Sequence, residues 1–332
     1  MAQTQWGMIG CGRVTEVKSG PAFNKIAGSK LVAVMRRNAE KAQDYAKRHG
    51  VPKWFDDADR LIQDAEVNAI YIATPPDTHA HYTIKAARAS KPVYVEKPMA
   101  RNQEECKQML AACEQAGVPL FVAYYRRCLP GFLKVRELVE SGTIGDIRFV
   151  AIDLYYPPRD DDLKRNSLPW RVLPDIAGGG YFVDLASHQL DYLDYLFGPI
   201  VSVQGQAANQ AGWYPAEDVV SATFRFESGV FGSGVWCFTV AEHSKTDRIR
   251  IVGSEGDIEF SSFNHDVPIR LRTRDGIEEI PFPKPEHVQQ PLIQTVVDEL
   301  QGGGTCPSTG RSAARTNWVM DEILREWQNP KT

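Results

Sequence analysis

A chain of 332 residues is longer than one hydrophobic core usually organises, so two domains are expected. Its 43% apolar and 24% charged residues suit a globular protein, and a formal net charge of −4 argues against a nucleic-acid binder. No apolar run reaches the ~18 residues of a membrane span, MAQTQWGMIG lacks the pattern of a secretion signal, and six cysteines form neither a CxxC pair nor a zinc spacing, so a cytoplasmic protein with reduced cysteines and no metal is expected.

Residues 1–123 alternate strand and helix signals. The strand signals at 5–10, 30–35, 69–73, 93–95 and 120–123 are short and apolar on both faces, as buried parallel strands are. Helical signals separate them, most clearly at 78–89 and 102–116. The second of these opens on the cap residue Asn102 and stops at Gly117. Repeated βα units with right-handed crossovers give a doubly wound parallel sheet, a Rossmann domain, whose ligands sit at the carboxyl ends of the strands.

Three of those strand ends carry chemistry. The first strand runs into GMIGCGRVT, where Gly10 makes a tight turn, Gly12 lets backbone approach a pyrophosphate, and a helix starts near Arg13. Gly10, Cys11, Gly12, Arg13 and Val14 therefore form a candidate dinucleotide turn. A merely convenient glycine turn is the plainer reading, and the position in the first βαβ unit weighs against it. Thr15 stands where the pattern has its third glycine, so slightly looser helix packing is expected. The second strand, LVAVMRRN, ends in Arg36 and Arg37 where an NAD site would have an acid. An arginine there can bind a 2′-phosphate, which favours NADP(H) and leaves NAD(H) possible. The fourth strand, VYVEKP, holds Lys97 at its end, on backbone that Pro98 helps to fix. Solvated lysines are common at such places, but this one stands in ligand territory, with Glu96 placed to orient it.

Residues 124–332 read as an α+β domain with a large, mostly antiparallel open sheet. Strand signals at 147–155, 201–208, 219–226, 229–236, 248–253 and 257–261 are joined by short turns such as ESG and SEGD. Two helices, near 288–301 and 311–328, close the chain. The charged loop from Pro157 to Pro174 is long enough to be functional or simply mobile. A strong helix at 181–197 follows three glycines in GGGYFVDLASHQLDYLDYLFG. Asp184, His188 and Asp191 recur at i, i+4 and i+7 and so share a face, while Leu185, Tyr192 and Leu196 form the stripe expected on the core. A hydrogen-bonded structural histidine is one reading of His188, and a general base is another. A metal pair with Asp184 lacks a third ligand.

Together, GMIGCG, EKP after the fourth strand, GGGxxxDxxxHxxD on the helix, ATPPDTHAHY after the third strand and YYRRCLP after the fifth resemble the glucose–fructose oxidoreductase, inositol dehydrogenase and rhizopine-catabolism (GFO/IDH/MocA) family. The resemblance implies a Rossmann domain followed by an α+β domain whose open sheet often forms an oligomer interface, so a homodimer or homotetramer is expected. It also implies that Lys97 and His188 face the nicotinamide with Asp184 alongside, and that Thr74, Pro75 and His79 line the nicotinamide side. Tyr125 stands where the family often has Asn or Gln. Tyr125, Arg126, Trp170 and Arg171 are then expected to contact substrate. The implied activity is hydride transfer between NADP(H) and a secondary alcohol or ketone of a sugar, cyclitol or related polyhydroxy compound. In it Lys97, as ammonium, stabilises the alkoxide or relays the proton, His188 has the pKa of a suitable base, and the resemblance leaves open which of the two carries the proton. An NAD-recycling glycoside hydrolase and a non-enzymatic dinucleotide-sensing regulator are the competing readings.

Overall fold

The computed structural model describes residues 3–329. Met1 and Ala2 of the opening MAQTQWGMIG, and residues 330–332 of the second expected domain, lie outside them. The chain divides into two compact units: the chain through Leu129 together with Pro285–Ala314, and Pro130–Lys284 together with the chain from Arg315 onward. The boundary expected after residue 123 thus falls later, and a carboxyl-terminal segment returns to the first unit. The reason lies at the sheet edge. The Val122 amide donates to the Ser308 carbonyl (3.1 Å) and Phe121 bridges to Thr309, so the returning segment covers an edge strand that would otherwise offer unpaired backbone.

The first unit is built on six parallel strands, β1 (Thr4–Ile9), β2 (Ser29–Met35), β3 (Lys53–Phe55), β4 (Ala69–Ile72), β5 (Val93–Val95) and β6 (Leu120–Val122), in the order β3-β2-β1-β4-β5-β6. Their side chains alternate between two covered faces. Ile9, Ile70, Ile72, Val93 and Val95 pack with Leu61, Met99, Cys106 and Met109 on one side. Trp6, Phe23, Tyr71 and Tyr94 form an aromatic layer on the other, with centroid spacings of 5.0–5.1 Å from Trp6 to Phe23, Phe23 to Tyr71 and Tyr71 to Tyr94. The expected helix at 102–116 is capped as foreseen: Asn102 accepts from the Glu105 amide and Gly117 takes a left-handed φ of 65°. The register fixes the site. Ile9 pairs with Met35 and Ile72, Ile72 with Val95, and Val95 with Val122, so the strands end level along one edge of the sheet. The order reverses between β1 and β4, the place where such sheets open a crevice for ligand.

The second unit holds eight strands: β7 (Ile147–Tyr155), β8 (Ile200–Ala208), β9 (Val219–Phe226), β10 (Phe231–Cys237), β11 (Thr246–Gly253), β12 (Gly256–Phe260), β13 (Ile269–Thr273) and β14 (Gly276–Ile280). All neighbours are antiparallel except β7 and β10. In β9 every second residue (Val220, Ala222, Phe224, Phe226) is buried and the residues between face solvent. One face is therefore covered and the other open. On the covered face lies the helix Ser187–Phe197, whose Gln189 accepts a hydrogen bond from the Trp236 indole at 2.7 Å.

That helix departs from expectation. Its first turn, Phe182–Ala186, is π-helical, a wider turn than the α-helix. The extra width breaks the 3.6-residue register, so Leu185 no longer lines up with Tyr192. Tyr192 is buried and donates to the Phe132 carbonyl (2.6 Å), but Leu185 and Leu196 are only half-buried, while Gln189, Asp191 and Asp194 are enclosed.

Candidate active site

Where β1 ends, Gly10 has φ +100°, and a Cβ there would lie 2.8 Å from the Ala73 carbonyl carbon and oxygen, so the turn admits only glycine. Gly12 is different. Its backbone is extended (φ −110°), and nothing lies within 4 Å of the place its Cβ would take. The room at Gly12 is on the open side of the turn, as close approach by a pyrophosphate requires. Arg13 and Val14 open a helix of only five residues, and their amides have no acceptor within it. Thr15 is fully buried, with its hydroxyl on the Gly12 carbonyl (2.8 Å) and its carbonyl on the Tyr45 hydroxyl (2.9 Å), so close packing replaces the looser contact expected. Cys11 is buried, and burial pushes its thiol up to about 12, which makes it unreactive. Its carbonyl accepts from the Arg36 guanidinium at 2.9 Å. Arg36 therefore lies against the glycine turn, while Arg37 beside it is exposed.

At the end of β4, Thr74 and Pro75 are half-buried, and Thr78 donates to the Thr74 hydroxyl (2.8 Å). His79 is fully buried. One ring nitrogen meets the Thr74 carbonyl (2.8 Å) and the other the carbonyls of Pro98 and Met99 (3.0 and 3.2 Å). Burial holds its pKa below the ordinary histidine value, against the opposing pull of those carbonyls and of Glu96. Its side chain thus braces the loop after β5 to the loop after β4, and does not itself line an open surface.

At the end of β5, Glu96 is buried and Lys97 half-buried. The Glu96 carboxylate accepts from the Tyr71 hydroxyl (2.7 Å) and the Gln289 amide (2.6 Å), and its other oxygen lies 3.3 Å from the Lys97 amide. The Tyr71 oxygen is also 2.9 Å from Ser19 Oγ. A phenol has one proton and a carboxylate only accepts, so that proton goes to Glu96 and Ser19 donates to Tyr71. After β6 come Tyr125 and Arg126, both buried, with the guanidinium 5.1 Å from the phenol ring centre. Burial pushes the Tyr125 phenol upward, but the charges of Arg126, Lys18 and Lys97 together outweigh it and hold its pKa below the ordinary tyrosine value.

The second unit carries the remaining expected residues. Arg171 donates through Nε to Asp184 (3.0 Å) and stacks on Trp170 at 4.4 Å, so three of them form one cluster. The loop that carries Trp170 and Arg171 is pinned, because Tyr181 donates to the buried Asp162 (2.6 Å). His188 is buried, with Phe263 edge-on at 6.1 Å. Asp191 is fully buried and accepts from the Thr316 hydroxyl (3.4 Å). Sequence reasoning missed several residues. Gln289 and Tyr71 lie far from Lys97 in the chain. Asp247 accepts from the amides of Ser262 (3.0 Å) and Phe263 (2.7 Å) and so sets the turn that brings Phe263 to His188. Glu217, fully enclosed, accepts from the Gly180 amide (2.7 Å) at the start of the π turn, and burial raises its pKa to about 7. No three His, Cys, Asp or Glu among the described residues are grouped to hold a metal ion.

The strand order, the glycine turn and the reversal beside it define a dinucleotide-binding α/β unit. Comparison with known proteins goes one step further. Residues 4–124 match the model of an oxidoreductase family with an NAD-binding Rossmann fold, and residues 132–259 match the GFO/IDH/MocA C-terminal domain. An oxidoreductase of Formosa agariphila is 39% identical over 321 residues, spanning 96% of this chain and 98% of its own. The 1,5-anhydro-D-fructose reductase of Ensifer adhaerens is 27% identical, spanning 92% and 91%. A levoglucosan dehydrogenase solved in complex with NADH and levoglucosan superposes with a TM-score of 0.88 at 23% identity, over 99% of this chain and 98% of that one. The chain belongs to the GFO/IDH/MocA oxidoreductase family, as its motifs lead one to expect, and is an oxidoreductase with an NAD-binding Rossmann fold. Among the described residues, no helix is long and apolar enough to cross a membrane.

Proposed function

We propose that this protein transfers hydride between NADP(H) and a secondary alcohol or ketone of a sugar, cyclitol or related polyhydroxy compound. The observation that carries the reading is the level strand ends of the first unit, which bring the Gly10–Gly12 turn, Arg36 and Lys97 to one edge of one sheet. The nicotinamide, when bound, supplies or accepts the hydride. The turn at Gly10–Val14 holds the pyrophosphate, and Arg36, already against that turn, pairs with the 2′-phosphate. Lys97, as ammonium, stabilises negative charge on the substrate oxygen, and His188 holds or moves the hydroxyl proton. Arg171 ties Asp184 to Trp170, and these three with Tyr125 and Arg126 recognise the substrate. A dimer or tetramer built on the open sheet face, where Phe149 and Phe231 are exposed, and a cytoplasmic setting complete the reading.

The test is a panel of aldoses, polyols and cyclitols offered with NADP⁺ or NAD⁺ and followed by reduced-cofactor absorbance. Turnover is expected with NADP⁺, falling about 10²-fold or more in Lys97→Met and in His188→Asn. Turnover that survives both substitutions would refute the assignment.

A further inference from the structure

Gln289 sits in the returning segment of the first unit, far from every motif of the sequence, and it is completely buried. Its side-chain amide donates to the Glu96 carboxylate at 2.6 Å, its side-chain oxygen accepts from the Tyr94 hydroxyl at 3.0 Å, and its main-chain amide donates to the Lys18 carbonyl at 3.2 Å. Two residues earlier, the ring of His287 meets the Val17 carbonyl at 2.7 Å. Val17 and Lys18 end the short helix that follows the glycine turn. Gln289 thus touches that helix with its backbone and Glu96 with its side chain. Glu96 in turn lies over the amide of Lys97.

We propose that Gln289 is a positioning residue for Lys97: it ties the end of the glycine-turn helix to the Glu96 carboxylate, and through that carboxylate it sets the backbone that carries the lysine. The proposal rests on the reading of the glycine turn as a dinucleotide site and of Lys97 as the group that serves the reaction. A carboxylate in a dry site needs its donors. Removing the Gln289 amide leaves Glu96 with Tyr71, which stays a neutral donor because burial, and then the charge of Glu96, push its pKa far above the ordinary value. With one donor fewer, the carboxylate turns to find another, and the Lys97 amide loses its cover. Dinucleotide bound at the glycine turn then no longer steadies the lysine.

Amide hydrogen exchange of the stretch 93–101 reads this without any substrate. In the wild-type protein, NADPH should slow exchange both at 10–17 and at 93–101. In Gln289→Leu, exchange at Lys97 should be about tenfold faster or more without dinucleotide, and NADPH should slow 10–17 but no longer 93–101. Unchanged exchange at 93–101 in the variant would overturn the proposal. If Gln289→Leu loosens β1 and β2 as well, Gln289→Glu decides. Two carboxylates sharing one proton should keep 93–101 protected near pH 5 and, compared as protection factors, release it near pH 8 while β1 and β2 keep theirs, whereas a release shared by β1 and β2 means a packing role and would overturn the proposal. Failure of NADPH and NADH to bind the wild type would refute the functional reading alone, since the exchange difference between the dinucleotide-free proteins still reports on Gln289.

Discussion

Glu217→Gln tests how the second unit holds the helix of Asp184 and His188. The Glu217 carboxyl is fully enclosed, accepts the Gly180 amide at 2.7 Å, and has its pKa raised by burial from 4.5 to about 7. The Asp184 amide in turn donates to the Gly180 carbonyl (3.2 Å), so this carboxyl anchors the start of the π turn. A folded-state pKa above the unfolded one means that the fold holds a proton which the unfolded chain releases. Its contribution is fully present below about pH 4.5 and is lost as pH rises toward 7. At 1.36 kcal/mol per pKa unit, the loss across that window is about 3 kcal/mol. Glutamine keeps an oxygen for the Gly180 amide and cannot ionise, although its amide group needs an acceptor of its own. The slope against pH, more than the level, is therefore diagnostic. Melting both proteins between about pH 4.5 and 8 should show the wild type losing on the order of 4 °C relative to Glu217→Gln if the chain melts as one, or about 8 °C if the second unit melts alone. Parallel curves would refute the reasoning and show that Glu217 is ionised throughout or reached by water.

The two glycines of the first turn should separate folding from binding. Gly10→Ala meets the Ala73 carbonyl at a φ of +100° and should cost about 2 kcal/mol or more in denaturant unfolding. Gly12→Ala meets nothing, so its unfolding curve should stay within about 1 kcal/mol of wild type while dinucleotide affinity drops about tenfold in a fluorescence titration. The charges of Arg126, Lys18 and Lys97 predict that Tyr125 ionises below the ordinary tyrosine range, an ultraviolet difference step that Tyr125→Phe should abolish and Arg126→Met should move upward.

How legible this architecture is depends on where burial is two-sided. β4 (AIYI) and β5 (VYV) are buried on both faces and so read as unbroken apolar runs, β1 (TQWGMI) does so from Trp6 onward, and the residues after them fall into place by register alone. β3 (KWF) and β14 (GIEEI) are short edge strands whose local pattern does not separate them from loop, whereas β13 (IRLRT), with Ile269 and Leu271 buried and Arg270 exposed, carries an alternating strand signal that the expected set of strands leaves out. Arg171 beside Asp184 was within reach of the sequence as two candidate residues, but their pairing depends on Tyr181 pinning the loop. The π turn is invisible to a 3.6-residue template, and for that reason the template places Leu185 on the core, where the structure leaves it half-buried. Gln289 and Glu217 carry no local signal at all. Each is an ordinary polar residue whose importance comes from a partner brought to it by the fold.

The most direct test of the cofactor claim is a fluorescence titration with NADPH and with NADH, of the wild-type protein and of Arg36→Ala. Arg36 against the glycine turn predicts tighter binding of NADPH, by about tenfold or more, with the preference abolished in Arg36→Ala while NADH affinity changes little. Equal or tighter binding of NADH by the wild type, or an NADPH preference that survives Arg36→Ala, would contradict it.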